Sequence, residues 1–274
     1  MRCQGLLDSP RQIGADGHAC WTFEDPAGDS VDAAVAFLVE GRELGQALVF
    51  VGGPETEKVV RSVEPLASMV ADGSLEIVPF EALYPDGRRL PDAEQWAAYE
   101  AAVERARDAG FTGLRVLAEV TALASPEGSW RAHAGWESYA DRRMPEHRMA
   151  ALCCFERDVL PDAALAAIAS AHPVVDRRLH DLAPFRLFAR ADAVVIAGEV
   201  DAFSSGTLRQ LLSTDDGDAG DRVLDLDELA FVDHTALLAL QEYADRVRAQ
   251  GGTVIFRGGP PTLRRLAQLL GVSL

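Results

Sequence analysis

The chain has 274 residues, 48% apolar and 25% charged, which suffices for a real core without disulfide or metal staples and suits two domains better than one. Its net charge of −17 argues against direct contact with nucleic acids or anionic membranes. No apolar run approaches the roughly 18 residues of a membrane span, and the first twelve residues lack the apolar core of a signal peptide, so a cytoplasmic protein is expected. A single lysine beside many arginines suggests a GC-rich bacterial genome.

From His18 onward, apolar strand-like runs alternate with longer amphipathic segments, the pattern of a parallel α/β sheet. Strands are predicted over 19–23, 47–52, 75–79, 114–121 and 149–155. Helices are predicted between them over 31–44, 54–72, 92–109, 130–143 and 161–171. Asp29, Ser30 and Asp92 are predicted caps, and Gly45 and Gly110 predicted helix ends. The charged, proline-terminated stretch 176–184 reads as a linker. After it come strands over 185–190, 193–200, 222–226 and 253–257, and helices over 204–212, 234–249 and following Pro260-Pro261. An acidic loop spans 213–221.

Four cysteines, Cys3, Cys20, Cys153 and Cys154, show neither a disulfide framework nor the C-x-x-C spacing of a zinc site, so no metal is expected. Cys153 and Cys154 are adjacent in a predicted strand and should face opposite ways.

In the C-terminal part, Asp233 stands where a helix N-cap belongs, after the strand Leu224-Asp225-Leu226 and the segment Phe231-Val232. A helix N-terminus can cap itself with a carboxylate or receive a phosphate. The run Val194-Val195-Ile196-Ala197-Gly198-Glu199-Val200-Asp201, the Leu224-Asp225-Leu226 strand, Phe231-Val232-Asp233 and the closing Gly251-Gly252-Thr253-Val254 with Pro260-Pro261 resemble the STAS domain of anti-sigma factor antagonists. The resemblance implies a roughly four-stranded sheet with helices on one side over 185–274, and a surface at Asp201, Asp233, His234 and Thr235 for an anti-sigma factor or serine kinase-like regulator. In that family a serine after the aspartate accepts phosphate. Here Asp233-His234-Thr235-Ala236 puts His234 at that position, and Thr235 alone keeps a hydroxyl. Thr235 is therefore the candidate phosphoacceptor, and docking without the serine switch is the favoured expectation.

In the N-terminal part, Gly52-Gly53-Pro54-Glu55-Thr56-Glu57-Lys58 fails the P-loop pattern, because the lysine does not follow a glycine and two acids oppose phosphate. His18, Glu119, Glu137 and His172 are dispersed polar candidates, and Glu119, embedded in the apolar run Val116-Leu117-Ala118-Glu119-Val120, marks a sheet end or a polar pocket. His18-Ala19-Cys20-Trp21-Thr22-Phe23, Phe37-Leu38-Val39-Glu40-Gly41, Leu114-Arg115-Val116-Leu117-Ala118-Glu119 and Ala151-Leu152-Cys153-Cys154-Phe155 with His172-Pro173 resemble the MEDS sensory domain. The resemblance implies, over 17–176, an αβα sandwich similar to an inactive P-loop or RecA-like sheet, and a sensor of a small molecule.

The candidate pocket residues are His18, Gly52, Gly53, Glu119, Cys153 and His172. No catalytic residue and no cofactor is expected. The combined expectation is a signalling regulator whose STAS domain binds a regulator under control of the sensory domain. A non-switching scaffold, or an enzyme built on the N-terminal cysteines and histidines, is the alternative.

Overall fold

A computed structural model describes residues 2–25, 28–125, 129–214 and 220–272. In chain order, its first part comprises β1 (Gly5–Leu7), β2 (His18–Phe23), α1 (Asp29–Glu43), β3 (Ala47–Gly52), α2 (Pro54–Ser62), α3 (Leu66–Ala71), β4 (Leu75–Pro79), α4 (Phe80–Leu83), α5 (Asp92–Asp108), β5 (Leu114–Glu119), α6 (Thr121–Ala124), α7 (Ser129–His147), β6 (Met149–Glu156), α8 (Asp162–Ser170) and β7 (Val174–Asp176). The seven strands form one parallel sheet in the order β1-β7-β2-β6-β5-β3-β4. Helices cover both faces, so the central strands read as unbroken apolar runs. Leu114, Val116, Ala118, Cys20 and Cys153 share one face with α5, α7 and α8. Leu117, Leu152, Trp21 and Cys154 face the other way, toward α1 and α3. Cys153 and Cys154 thus enter opposite cores, as the strand period demands.

Several boundaries differ from the sequence reading. The helix expected over 54–72 is two, because Pro65 cannot donate to a helical turn and holds the preceding residue outside helical geometry. The strand expected to reach residue 121 ends at Glu119, and α6 begins at Thr121. Asp29 and Asp92 lie in the first turns of α1 and α5, whose N-cap positions are Gly28 and Pro91. The short strands β1 and β7 extend the sheet beyond the predicted set.

Inside this first layer, Arg115 is fully buried on β5. Its guanidinium donates to Glu40 Oε2 at 2.6 Å, Gln46 Oε1 at 2.9 Å and the Gly14 carbonyl at 3.0 Å. It also lies 4.0 Å from the Phe37 ring centre. Burial lowers its pKa to about 10, against the pull of Glu40. A charge so deep is tolerable because Glu40 pairs with it and both terminal nitrogens are bonded, while Nε alone is left without a partner.

The segment 176–184 contains a short 3-10 turn, Arg177–Leu179, and it is packed, with Leu179 and Ala183 buried. Beyond it lie β8 (Phe185–Arg190), β9 (Ala193–Val200), α9 (Ser205–Ser213), β10 (Arg222–Asp225), β11 (Leu229–Val232), α10 (His234–Ala249), β12 (Val254–Arg257) and α11 (Pro261–Leu270). This sheet has five strands, one more than the four expected. The addition is β11, which continues past a bulge between Leu229 and Phe231 and pairs with the end of β9. β8 and β9 are antiparallel, and the remaining pairs are parallel. Part of the acidic loop over 213–221, residues 215–219, lies outside the described residues.

Gly198 sits on β9 at φ +95°. A Cβ there would collide with the Pro184 carbonyl, so only glycine fits. The helices α9, α10 and α11 bury Ile196, Leu208, Leu224, Leu237 and Leu240 on one face of the sheet. That core is continuous with the N-terminal one: α7 packs on β8 and α9, and Trp136, Ala140, Leu165 and Ile168 belong to the same apolar cluster as Leu187 and Leu211.

Candidate functional site

α7 carries His133, Glu137 and Asp141 at successive intervals of four, which places them on one stripe of the helix. The stripe faces the sheet, and all three side chains are buried. Opposite them stand His18 at the start of β2, Cys153 on β6, and His172 in the turn between α8 and β7. These too are buried, none more than 6% exposed.

Glu137 lies at the centre. Its Oε2 is 3.2 Å from His18 Nε2, 3.5 Å from Cys153 Sγ and 3.6 Å from His172 Nε2. Its Oε1 is 2.9 Å from His133 Nε2. Cys153 Sγ is 3.7 Å from His18 Nε2. Ligating atoms of His18, Glu137, Cys153 and His172 all fall within 4.8 Å of one another. His18 Nδ1 bonds Asp141 at 3.0 Å, and His172 Nδ1 bonds the Ile168 carbonyl at 2.8 Å. His172 Nε2 has no hydrogen-bond partner.

The surroundings polarise these groups in opposite directions. Burial disfavours charged His18, but Asp141 and Glu137 outweigh it and raise the imidazole pKa. His172 is pushed down to about 3 by burial and by neighbouring His18. Burial opposes the charged form of Glu137, yet His133 and His18 hold it well below the usual carboxylate range. Burial, with Glu137 close by, raises the Cys153 thiol well above its ordinary value.

Asp141 extends the cluster out of the sheet. Its Oδ1 also pairs with Arg2 Nη2 at 2.7 Å, and its Oδ2 accepts from the Ala189 backbone N–H on β8 at 2.6 Å. Arg2 Nη1 donates to the Ala189 carbonyl at 3.0 Å. Burial works against its ionised form, but Arg2 and His18 carry the carboxyl down to about 2.

Three of the six predicted pocket residues, His18, Cys153 and His172, therefore meet in one place. The other three do not join them. Gly52, Gly53 and Glu119 gather on the opposite side, where Glu119 Oε2 would lie 4.0 Å from a Cβ on Gly53. The cavity that Glu119 lines there, with Phe23, Phe50 and Leu117, is only about 30 Å³. Gly53 is the N-cap position of α2, with Glu55 and Glu57 in the first turn, an unfavourable end for a phosphate. A roomier cavity of about 350 Å³ lies between α5 and the strands β3, β4 and β5. Its walls are mainly apolar, and Tyr84, Tyr99 and Gln95 supply polar groups: Gln95 Nε2 bonds Tyr84 Oη at 3.2 Å, and the two hydroxyls are 3.4 Å apart.

At the far end of the second sheet, Asp233 caps α10. Its Oδ1 accepts from the N–H groups of Thr235 at 2.9 Å and Ala236 at 3.0 Å, and from the Thr235 hydroxyl at 2.6 Å. His234 is exposed, and Thr235 is half-buried. Asp201 caps the turn into α9, accepting from Phe203 N and Ser204 N at 3.0 Å each. Around them Phe203 is 96% exposed, with Phe231 and Leu238 also open to solvent. Asp201, Asp233, His234 and Thr235 are thus brought to one end of the sheet.

The family model for the methanogen/methylotroph DcmR sensory domain, MEDS, matches residues 17–173, more than half of the chain. The chain belongs to the MEDS family. A STAS domain model matches residues 190–274. Comparison with curated proteins gives no significant match. A MEDS sensory domain followed by a STAS domain supports a signalling regulator role. No helix among the described residues is long and apolar enough to cross a membrane.

Within the MEDS domain, sequence reasoning singled out Glu137 but not its helical neighbours His133 and Asp141. The signal was available as a four-residue spacing of titratable groups on one helix. Arg2, which precedes the region matched by the MEDS model, offered none.

Proposed function

We propose that the chain is a signalling regulator in which the STAS domain binds an anti-sigma factor or a serine kinase-like regulator, under the control of a small molecule sensed by the MEDS domain. The observation that carries this reading is Asp141. One carboxylate holds His18 inside the sensory cluster and the Ala189 amide on the first STAS strand, so a change in the cluster reaches the second sheet through a single side chain. A ligand controls such a system only to the extent that it binds two states unequally.

The small molecule is assigned to the cavity under α5. Its size and apolar walls fit a compact, mostly apolar compound, and Tyr84, Tyr99 and Gln95 offer hydrogen bonds for one polar group. The partner face is assigned to the capped start of α10 together with Phe203, Phe231 and Leu238, since exposed apolar side chains beside a polar rim favour protein contact. The proposed docking runs without the serine switch. In support, the Thr235 hydroxyl already donates to the capping carboxylate, and a phosphate there would stand against Asp233. The proposed role includes no reaction, and the raised Cys153 thiol supports that, because nucleophilic cysteines need a lowered pKa.

Pull-down from the native cytoplasm with wild type, Thr235→Ala, Thr235→Glu and Phe203→Asp tests the reading. Capture of the same regulator by wild type and Thr235→Ala, and its loss with Phe203→Asp, is expected. Capture of no regulator by the wild type would overturn the docking role. Loss confined to Thr235→Glu would restore the phosphoswitch.

A further inference from the structure

We propose that His18, Glu137, Cys153 and His172 form a closed, four-coordinate site for a zinc-type divalent cation in the core of the MEDS domain. The inference does not depend on what the STAS domain binds.

The first argument is distance. Zinc holds imidazole nitrogen at about 2.0–2.1 Å, carboxylate oxygen at about 2.0–2.2 Å and thiolate sulfur at about 2.3 Å. A tetrahedron with those radii sets nitrogen–oxygen edges near 3.3 Å, and nitrogen–sulfur and oxygen–sulfur edges near 3.5–3.6 Å. The observed edges are 3.2 and 3.6 Å for the two nitrogen–oxygen pairs, 3.7 Å for nitrogen–sulfur and 3.5 Å for oxygen–sulfur. Four of the six edges thus stand at the spacing of a coordination shell, and the other two, from His172 Nε2 to His18 Nε2 and to Cys153 Sγ, lie within 4.8 Å and would close in around an ion.

The second argument is orientation. In metal sites a ligating histidine gives its other ring N–H to a carboxylate or a carbonyl, which fixes the tautomer and leaves a lone pair for the metal. His18 Nδ1 faces Asp141, and His172 Nδ1 faces the Ile168 carbonyl. Both Nε2 atoms turn to the shared centre, that of His18 within 3.2 Å of Glu137 Oε2. His172 Nε2 is wholly buried and has no hydrogen-bond partner, a costly state that a metal ligand bond would relieve.

The third argument is charge and type. Binding would release the Cys153 proton and the proton that His18 Nε2 shares with Glu137, and place a thiolate and a carboxylate against two positive charges, with two neutral imidazoles completing the shell. Mixed sulfur, nitrogen and oxygen ligation in a four-coordinate arrangement suits zinc, whereas magnesium and calcium require oxygen donors. With all four ligands supplied by buried protein groups, the site is of the structural kind. It would fasten α7 to β2 and β6, one turn from the aspartate that reaches Ala189.

The test uses the full chain expressed in zinc-supplemented medium. Elemental analysis should find about one zinc per chain in wild type and in Cys3→Ser, whose thiol lies outside the cluster. Cys153→Ser and His172→Gln should bind at least tenfold more weakly. Cobalt-substituted wild type should show a thiolate-to-cobalt charge-transfer band and the intense visible bands of a tetrahedral site. That spectrum needs no variant, so it decides even where a substitution prevents folding. Wild type that purifies without metal and takes up neither zinc nor cobalt would overturn the proposal. So would cobalt binding without a thiolate band, or full zinc content in folded Cys153→Ser and His172→Gln.

Discussion

Replacing Asp141 by alanine removes one acceptor from three buried donors at once. His18 Nδ1, the Arg2 guanidinium and the Ala189 N–H lie 3.0, 2.7 and 2.6 Å from its oxygens. A buried donor left without an acceptor costs about 1–3 kcal/mol, and breaking a buried ion pair costs about 3–5 kcal/mol. Arg2 keeps its bonds to the Asp16 and Ala189 carbonyls, which lowers the sum. The expected loss is about 4–6 kcal/mol, a large part of the roughly 5–15 kcal/mol that holds a typical protein folded. Urea unfolding of the full chain measures it. The four tryptophans, Trp21, Trp96, Trp130 and Trp136, all report on the MEDS domain, while far-ultraviolet circular dichroism reports on both domains. Asp245→Ala, which removes an exposed pair with Arg248, is the control and should change stability by less than about 1 kcal/mol. A loss of under about 1 kcal/mol in Asp141→Ala would show that the bridge between the two sheets carries no weight.

Because one apolar cluster runs through both domains, the fluorescence and dichroism transitions of the wild type should coincide; two separated midpoints would contradict a shared core. Gly198→Ala meets both a left-handed backbone and the Pro184 carbonyl, and should cost more than about 2 kcal/mol by the same urea measurement. Gly135→Leu places a side chain where a Cβ would already sit 2.8 Å from Thr214, and should cost about 1–3 kcal/mol. Asp233→Ala removes the α10 cap, for an expected loss of about 0.5–2 kcal/mol at neutral pH. Burial opposes the ionised form of Asp233, but hydrogen bonds from Thr235 and Ala236 lower its folded pKa below the ordinary value. Its contribution is therefore present above the ordinary carboxylate pKa, and the difference between wild type and variant should shrink as the pH falls through the lowered folded value.

The parallel sheet was legible because strands covered on both faces leave continuous apolar runs, and β2, β3, β5 and β6 fall where those runs stand. β1 and β7 are three residues long and carry no such run, and β11, though apolar throughout, is only four residues, so all three became visible through their partners. The buried cluster was partly legible. His18, Glu137 and His172 stood out as polar groups, and Cys153 was among the pocket candidates, but nothing in their spacing joined them. Cys153 carried no metal-ligand signal, because sequence spacing finds ligands clustered along the chain, and the groups proposed to join it are gathered across a sheet. Amphipathic reading assigns charged residues to the solvent face, which is why His133 and Asp141 on α7 escaped notice. Glu119 was misjoined to the same pocket because a strand position tells the face only once the register is known.

The Asp141–Arg2 pair also closes an edge. Ala189 directs its N–H and carbonyl away from β9, and in this chain both are occupied by one carboxylate and one guanidinium. A STAS fragment cut at residue 185 would lose those partners and present β8 as an open strand beside apolar Phe185 and Leu187, a template for pairing with another chain. The MEDS domain, with Arg2, therefore does for this edge what bulges and charged borders do in isolated sheets: it keeps the second sheet from growing past β8.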